Sequence, residues 1–388
     1  MKKSGNTVSV LGTFIITLSF FLFSFAEYRP NRVLTGTAIS AKELFGNGFF
    51  LLLFISMILL VLTRLNKKSY KLTIGILILL LVGLVLYLLG ESINAEAFNQ
   101  TIAGRMSIGG GLWVLLLGVI MVLSGNFKGY EKAILHRRLF YIAIFLIVLF
   151  FLLGGFLDEL SIMKEFFNRS QTFFRQINRH FSLAFLSVLV GIFVGIPIGI
   201  LIFKSKKTNN PLLFLINLGQ TIPTLSLLGL IMVPLAFIGE RSDFLRNIGI
   251  RSVGFTPAFL VLIIYALFPI VHNTIAGLKM VDQDLLEVAS GMGMRGHQAF
   301  WKVQLPLSLP VILGGIRTAM TQSIGNTILA GLIGGGGLGS IIFLGLAQAA
   351  PDLILLGVIP LIAMAFILDS MLSFFIYYYR KKVLGIKS

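Results

Sequence analysis

The sequence contains no cysteine, and charged residues make up only 12% of its 388 positions, whereas hydrophobic residues make up 56%. The absence of cysteine excludes a disulfide framework, thiolate catalysis and a cysteine-ligated metal site. Soluble globular domains carry about a quarter of their residues charged, which is well above the fraction found here. The composition therefore predicts an integral membrane protein.

Sequence motifs for catalysis are also missing. The chain has no G-x-x-x-x-G-K-[ST] segment, so we do not expect it to hold ATP in a phosphate-binding loop. No serine stands in a G-x-S-x-G context, and the histidines form neither an H-x-x-x-H nor an H-E-x-x-H pair. We therefore expect no covalent catalysis, metal site or cofactor on this chain.

Long apolar runs alternate with short polar segments along the whole chain, and about 20 apolar residues suffice for a helix to cross a bilayer. The first run could be a signal peptide, but its apolar core is too long and lacks a small-x-small cleavage signature. We interpret it as a span and predict an all-α membrane protein with about ten transmembrane helices. The predicted spans are 8–26, 48–63, 72–89, 109–124, 139–157, 181–203, 212–238, 257–278, 307–332 and 353–377.

The distribution of charge predicts how these spans are oriented. Ten spans put both termini on one side, and most lysine and arginine residues fall in inner segments if that side is the cytoplasm. We therefore expect a multi-pass protein of the cell inner (cytoplasmic) membrane with both termini cytoplasmic. The formal net charge of +17 is then a topology signal and a contact with anionic lipids, not a sign of nucleic acid binding.

Three regions follow from this layout. Residues 1–157 form an N-terminal membrane extension of about five helices, and residues 181–388 form a second group of about five. Residues 158–180 between them are polar, with aromatic side chains at mostly helical spacing. This linker fits an amphipathic helix in the membrane interface, and it fits a solvated connection equally well.

Residues 282–310 are the longest stretch of the second half that cannot cross a membrane, because charged residues are mixed with the apolar ones. The apolar side chains of its first part recur at spacings of three and four, which predicts a helix. Three glycines between 291 and 296 then predict a turn. Either the helix offers an apolar stripe to a partner, or it packs on its own protein. The recurring residues are Leu285, Leu286, Val288, Ala289 and Met292.

The same stretch resembles the cytoplasmic loop of ABC-importer permeases. It reads Glu287-x-Ala289-x3-Gly293-x9-Val303-x-Leu305-Pro306, where the family pattern is E-A-A-x3-G-x9-I-x-L-P. Val288 and Val303 replace the usual alanine and isoleucine. The resemblance implies a type I permease fold and a coupling loop, residues 282–305, that sits in a cleft of a separate ATPase subunit. Glu287 would cap or form a salt bridge there, Leu285, Val288, Ala289 and Met292 would provide apolar contacts, and Gly293 would turn the chain.

Further motifs resemble the osmoprotectant branch of these permeases, which imports glycine betaine, choline, carnitine or proline betaine. The likeness covers roughly residues 175–382 and implies three kinds of partner: an ATPase subunit that holds ATP and Mg²⁺, an external substrate-binding protein, and a second permease subunit, identical or related. The four motifs are QTIPTLSLLG from Gln220, IYALFPIVHNT from Ile264, GIRTA from Gly315 and LIGGGGLG from Leu332.

Polar residues within the apolar runs are candidates for the translocation path or for helix packing. A broken helix is predicted at Gln220, Thr221 and Pro223, because proline removes a backbone donor and the polar side chains need partners inside the bundle. Arg317 and Asp369 lie at similar depths, roughly 15 and 12 Å from the cytoplasmic ends of their spans. We expect them to pair, with contact to substrate as the alternative.

Four glycines at 334–337 are compatible with a hinge or with a tight re-entrant turn.

Two other classes of function are alternatives to an ABC importer. A stand-alone secondary transporter would need embedded carboxylates, and only Asp369 qualifies. A sensor or assembly factor would leave the coupling loop unexplained. Among importers, permeases for amino acids, methionine and phosphonates share this loop, so it does not define the substrate.

Overall fold

A computed structural model describes residues 2–30, 35–94, 104–128, 133–205, 211–241, 244, 250–382 and 385. The chain divides into two compact units, Met1–Asn168 and Arg169–Ser388. This division lies within residues 158–180, the segment that the sequence predicts as a linker. Each unit has a hydrophobic core of its own.

The first unit is a helical bundle around one continuous core. Ile16, Leu52, Ile78 and Leu115 are almost completely buried in it. The first and fifth helices approach closely at two glycines: a Cβ on either Gly12 or Gly118 would lie 2.8 Å from the other residue's carbonyl oxygen. Small residues at such a crossing let two membrane helices pack backbone to backbone. The helices are α1 (Lys2–Leu22), α2 (Ala41–Phe45), α3 (Gly48–Leu65), α4 (Tyr70–Asn94), α5 (Gly110–Asn126) and α6 (Ala133–Leu153).

A small antiparallel sheet closes one end of this bundle, and it was not predicted. Its strands are β1 (Ser24–Arg29), β2 (Thr37–Ser40) and β3 (Arg105–Ile108), in the order β2-β1-β3. The predicted first span, 8–26, is therefore too long, because α1 ends at Leu22. The chain leaves the helix there to pair its backbone with both other strands.

Residues Ser161–Lys204, together named α7, form two helical segments joined by a kink at the non-helical Arg169. Residues 158–180 are therefore largely helical from Ser161 onward, as the first of the two interpretations predicts. Within the first unit, Leu160 forms an isolated parallel bridge with Met106 of β3. One turn into the helix, the almost fully buried Glu165 carboxylate lies 3.9 Å from Arg105.

The second unit distributes its buried residues over several smaller clusters. Two of its helices, Phe255–Lys279 and Leu305–Asn326, pack closely, because a Cβ on Gly315 would lie 2.6 Å from Pro269 O. After α7 the elements are α8 (Pro211–Thr221), α9 (Thr224–Arg241), α10 (Phe255–Lys279), α11 (Gln283–Gly291), α12 (Gly296–Ala299), a π-helical turn (Phe300–Gln304), α13 (Leu305–Asn326), a 3₁₀ helix (Thr327–Ile333), α14 (Leu338–Ala347) and α15 (Pro351–Lys382).

Among the described residues, seven helices are long and apolar enough to cross a membrane, and the bent pair α8 and α9 raises the number to eight. Two further predicted spans fall on the shorter apolar helices Thr7–Leu22 and Gly110–Asn126. All ten predicted spans thus overlap helices. The span predicted at 212–238 is not continuous, however, because α8 and α9 meet at an angle of 112°.

The glycine stretch forms a tight turn that leads into α14, a helix that was not predicted. Gly334, Gly336 and Gly337 all have positive φ angles, between 72° and 88°. Residues with a Cβ rarely adopt this conformation, so the turn depends on glycine.

Candidate coupling loop and polar groups of the second unit

The first half of the predicted coupling loop is a helix with a defined start and end. The Asp282 side chain accepts a hydrogen bond from Asp284 N at 3.2 Å and caps α11. At the other end Gly293 has a φ of 86°, and Met294 N donates to Ala289 O at 3.1 Å. The turn predicted from the three glycines is confirmed, and Gly293 is the residue at which the chain reverses.

The exposed face of α11 carries three of the four apolar residues predicted to contact an ATPase. Leu285, Val288 and Met292 are 49%, 60% and 75% exposed, and Glu287 is exposed as well. Ala289 differs, because it is only 4% exposed. It packs against its own chain, so its assignment to the outer apolar face was wrong.

The second half of the loop is tied to the ends of the neighbouring helices. Gln304 Nε2 donates to Leu278 O at 3.3 Å, which joins the π-helical turn to the last turn of α10. The ammonium group of Lys204 lies 4.8 Å from the centre of the buried Phe300 ring. Tyr379 Oη donates to Pro306 O at 3.3 Å. A displacement of the loop would therefore act on several helices at once.

The Leu305-Pro306 end of the motif lies where the π-helical turn passes into α13. Leu305 is partly buried and is the first residue of α13, with Pro306 directly after it. The helical backbone does not break here, because Gln304 and Leu305 both have helical angles and Gly296–Ile333 continues as one helix. The predicted new span therefore begins within a helix that starts at Gly296.

The break between α8 and α9 brings polar groups together. Gln220 Nε2 lies 3.5 Å from both Gln322 Oε1 and Tyr265 O, at the limit of a hydrogen bond. Tyr265 Oη donates to Ile222 O, a backbone acceptor that the break leaves without a helical donor. The predicted broken helix is thus present and is supported by a neighbouring helix, while Thr221 and Pro223 are exposed.

Arg317 and Asp369 form the expected ion pair. Arg317 Nε donates to Asp369 Oδ1 at 2.5 Å, and Nη2 donates to Oδ2 at 2.7 Å. This bidentate arrangement, with two parallel N–H···O hydrogen bonds, is the strongest geometry available to an arginine and a carboxylate. The side chains remain 43% and 34% exposed and line a cavity of about 520 Å³, together with Thr318, Thr321 and Gln322. The pair joins α13 to α15 and also faces open space.

Comparison with known families decides what this unit is. The family model described as the binding-protein-dependent transport system inner membrane component matches residues 187–384. The chain is a member of this family of ABC-importer permeases. Its first half matches a second model, the N-terminal domain of the ABC transporter permease YehY, over residues 4–163.

Individual relatives of this permease agree. It is 35% identical over 194 residues to the glycine betaine/carnitine/choline transport system permease protein OpuCB of Bacillus subtilis, and the match covers 50% of this chain and 82% of OpuCB. It is 34% identical over 194 residues to the osmoprotectant import permease protein OsmW of Salmonella typhimurium, and this match covers 50% of this chain and 85% of OsmW. A structure of the methionine ABC transporter MetNI matches with a TM-score of 0.47 and 20% identity, over 55% of this chain and 98% of the chain in that structure.

One polar cluster of the permease was not predicted. His180 is completely buried; its Nε2 donates to Ile324 O at 3.0 Å and its Nδ1 accepts from Leu338 N at 3.2 Å. On the same helix, Gln176 Oε1 accepts from Gly337 N at 2.6 Å. Spacings of three and four place Gln176, Arg179 and His180 on one helical face. That spacing was the available signal, but the partners of this face are backbone groups of α13, of the glycine turn and of the start of α14, which no sequence pattern identifies.

Proposed function

We propose that this permease imports an osmoprotectant such as glycine betaine, choline or carnitine in an ATP-driven transporter. The supporting observation is that relatives at 31–38% identity carry the names of permeases for these solutes. The motifs that resemble this branch lie on the helices around the break at Gln220, on α13 and in the glycine turn that leads into α14. An ATPase and a substrate-binding protein are the partners that membership of the family implies.

In this proposal the ATPase subunits bind ATP and Mg²⁺ and close on the exposed face of α11. Leu285, Val288 and Met292 enter the ATPase cleft, and Glu287 forms a salt bridge or caps a helix at its rim. Since Gln304 and Phe300 connect the loop to α10 and to Lys204, its displacement would reorient those helices. In this arrangement the protein lies in the inner membrane, and both termini and this loop are on the cytoplasmic side.

A second permease subunit, identical or related, would complete the translocation path. The candidate lining groups are Gln220, Thr221 and Gln322, together with the open side of the Arg317 and Asp369 pair.

Reconstitution tests the proposal. The permease is placed in liposomes with its ATPase, its binding protein is added outside, and ATP-dependent uptake of labelled glycine betaine, choline, carnitine and methionine is compared. We expect uptake of at least one of the three quaternary ammonium compounds and none of methionine. Uptake of methionine alone would contradict the proposed substrate class.

Variants of α11 test the coupling loop. Val288→Asp puts a charge on the apolar stripe, and an unpaired charge buried in a cleft costs several kcal/mol, so ATPase binding should weaken at least about tenfold. Ser290→Asp is the matched control, because it adds the same charge to an exposed position two residues along the same helix. Equal loss of ATPase co-purification in both variants, or in neither, would argue against the apolar stripe as the contact.

A further inference from the structure

A cavity of about 400 Å³ lies where the glycine turn meets the first part of α7 within the second unit. It is lined by the arginines Arg175 and Arg179, by Gln176 and by the backbone of Gly334 to Gly336. No carboxylate pairs with either arginine in the described part of the chain. Among the described residues the cavity is therefore positively charged and holds no anionic partner.

The cavity is held rigidly on the Arg179 side. Arg179 Nε donates to Gly335 O at 3.1 Å, and its guanidinium lies 4.3 Å from the centre of the Phe255 ring. A Cβ on Gly336 would lie 2.9 Å from Arg179 Cγ, so this close approach needs glycine. With Nε bonded to the turn, the terminal nitrogens of Arg179 remain as hydrogen-bond donors toward the cavity.

Arg175 completes the site from one helical turn earlier. It is exposed, and no hydrogen bond or ion pair from it is found among the described residues. Residues four apart on a helix are neighbours, and Arg175 and Arg179 line the same cavity. Two arginines in one cavity suit a carboxylate or a phosphate, each of which can accept paired hydrogen bonds.

The position of the cavity indicates which anion meets it. Both α10 and α13 run from the coupling loop to this site: α10 begins at Phe255, the ring under Arg179, and ends at Lys279 beside the loop. Helix α13 has 22 residues, about 33 Å at the usual helical rise, which matches the thickness of a bilayer. The cavity therefore lies on the face of the membrane opposite to the ATPase contact.

We propose that the Arg175 and Arg179 cavity receives an acidic side chain of the external substrate-binding protein when that protein docks. This inference rests on the proposed function, which puts solute delivery on the face opposite to the coupling loop. Electrostatic contacts of this kind speed association and fix the orientation of docking. A phosphate of an anionic lipid is the competing occupant.

The test uses the complete transporter in nanodiscs of neutral lipid, with its purified binding protein as the probe. Arg175→Gln and Arg175→Glu are the main variants, because no hydrogen bond or ion pair ties Arg175 to another of the described residues. We expect the Kd of the binding protein to rise about tenfold or more for the charge reversal and less for the neutral variant. Arg175→Lys should keep most of the affinity, and the ATPase rate without binding protein should be unchanged.

Arg251→Gln and Arg251→Glu are the matched controls, since Arg251 is an exposed arginine near the start of α10 that does not line the cavity. Equal Kd values for the Arg175 variants and the wild-type protein would overturn the proposal. So would a defect that appears only when anionic lipid is added, because it would assign the cavity to a lipid headgroup. If the wild-type transporter imports none of the tested solutes, the proposed function fails instead, and the two failures are thereby distinguished.

Discussion

The two units of this permease differ in the continuity of their cores and in the exposure of their ion pairs. In the first unit the core is continuous, the crossing at Gly12 and Gly118 has no space for a side chain, and the Glu165 carboxylate near Arg105 is almost fully buried. In the second unit the buried residues form several smaller clusters, and the Arg317 and Asp369 side chains are 43% and 34% exposed. A closed bundle fits a structural or anchoring part, whereas a divided core and accessible charges fit the part in which subunits and solute must meet.

The largest expected effect comes from Gly118→Ala, which tests whether the helices of the first unit are as closely packed as this comparison requires. The new Cβ would lie 2.6 Å from Ile16 Cγ1 and 2.8 Å from Gly12 O, so the helices must separate, at a cost of about 1–3 kcal/mol or more. The measurement is the unfolding free energy in detergent by denaturant titration. Gly83→Ala is the control, because its nearest atom would be 4.0 Å away. Similar stabilities for the two variants would mean that the crossing is not closely packed.

The ion pair offers a second test, with a smaller expected effect on folding. Asp369→Ala leaves the Arg317 charge without its carboxylate, but both side chains are more than a third exposed, so water offsets most of the about 2.5–3.5 kcal/mol that insertion scales give for an unpaired charge and leaves a cost of about 1 kcal/mol. Thermal unfolding and solute uptake should both decline. The double variant with Asp at 317 and Arg at 369 should recover stability. Failure of this exchange to rescue either single change would contradict a structural pair.

The smallest expected effect concerns pH and the first unit. Ser40 and Glu43 form a capping box at α2, and hydrogen bonds from Ser40 N and Oγ lower the pKa of Glu43. A carboxylate whose pKa is lower in the folded state stabilises the fold above its unfolded pKa, and this contribution disappears as the pH falls through the folded pKa. Stability of the wild-type protein should thus decline slightly more on acidification than that of Glu43→Gln. Parallel pH profiles in thermal unfolding would contradict this.

Much of the membrane architecture was predictable because apolar runs of sufficient length have few alternatives to a helix. The Gln220 break and the Arg317 and Asp369 pair were predictable for the related reason that polar groups in a membrane need partners. The small sheet was not predictable, since β1 and β3 are separated by about 80 residues of sequence and β1 begins within an apolar run. The burial of Ala289 was missed because a small residue fits either face of α11.

The Arg317 and Asp369 pair also sets an order of events during synthesis. The two residues are 52 positions apart in sequence, so α13 emerges from the ribosome before its neutralising partner exists. At about 5–20 residues per second, the delay is roughly 3–10 s. During that interval the arginine has no carboxylate partner from α15, and we expect α13 to settle fully in the bilayer only after α15 arrives.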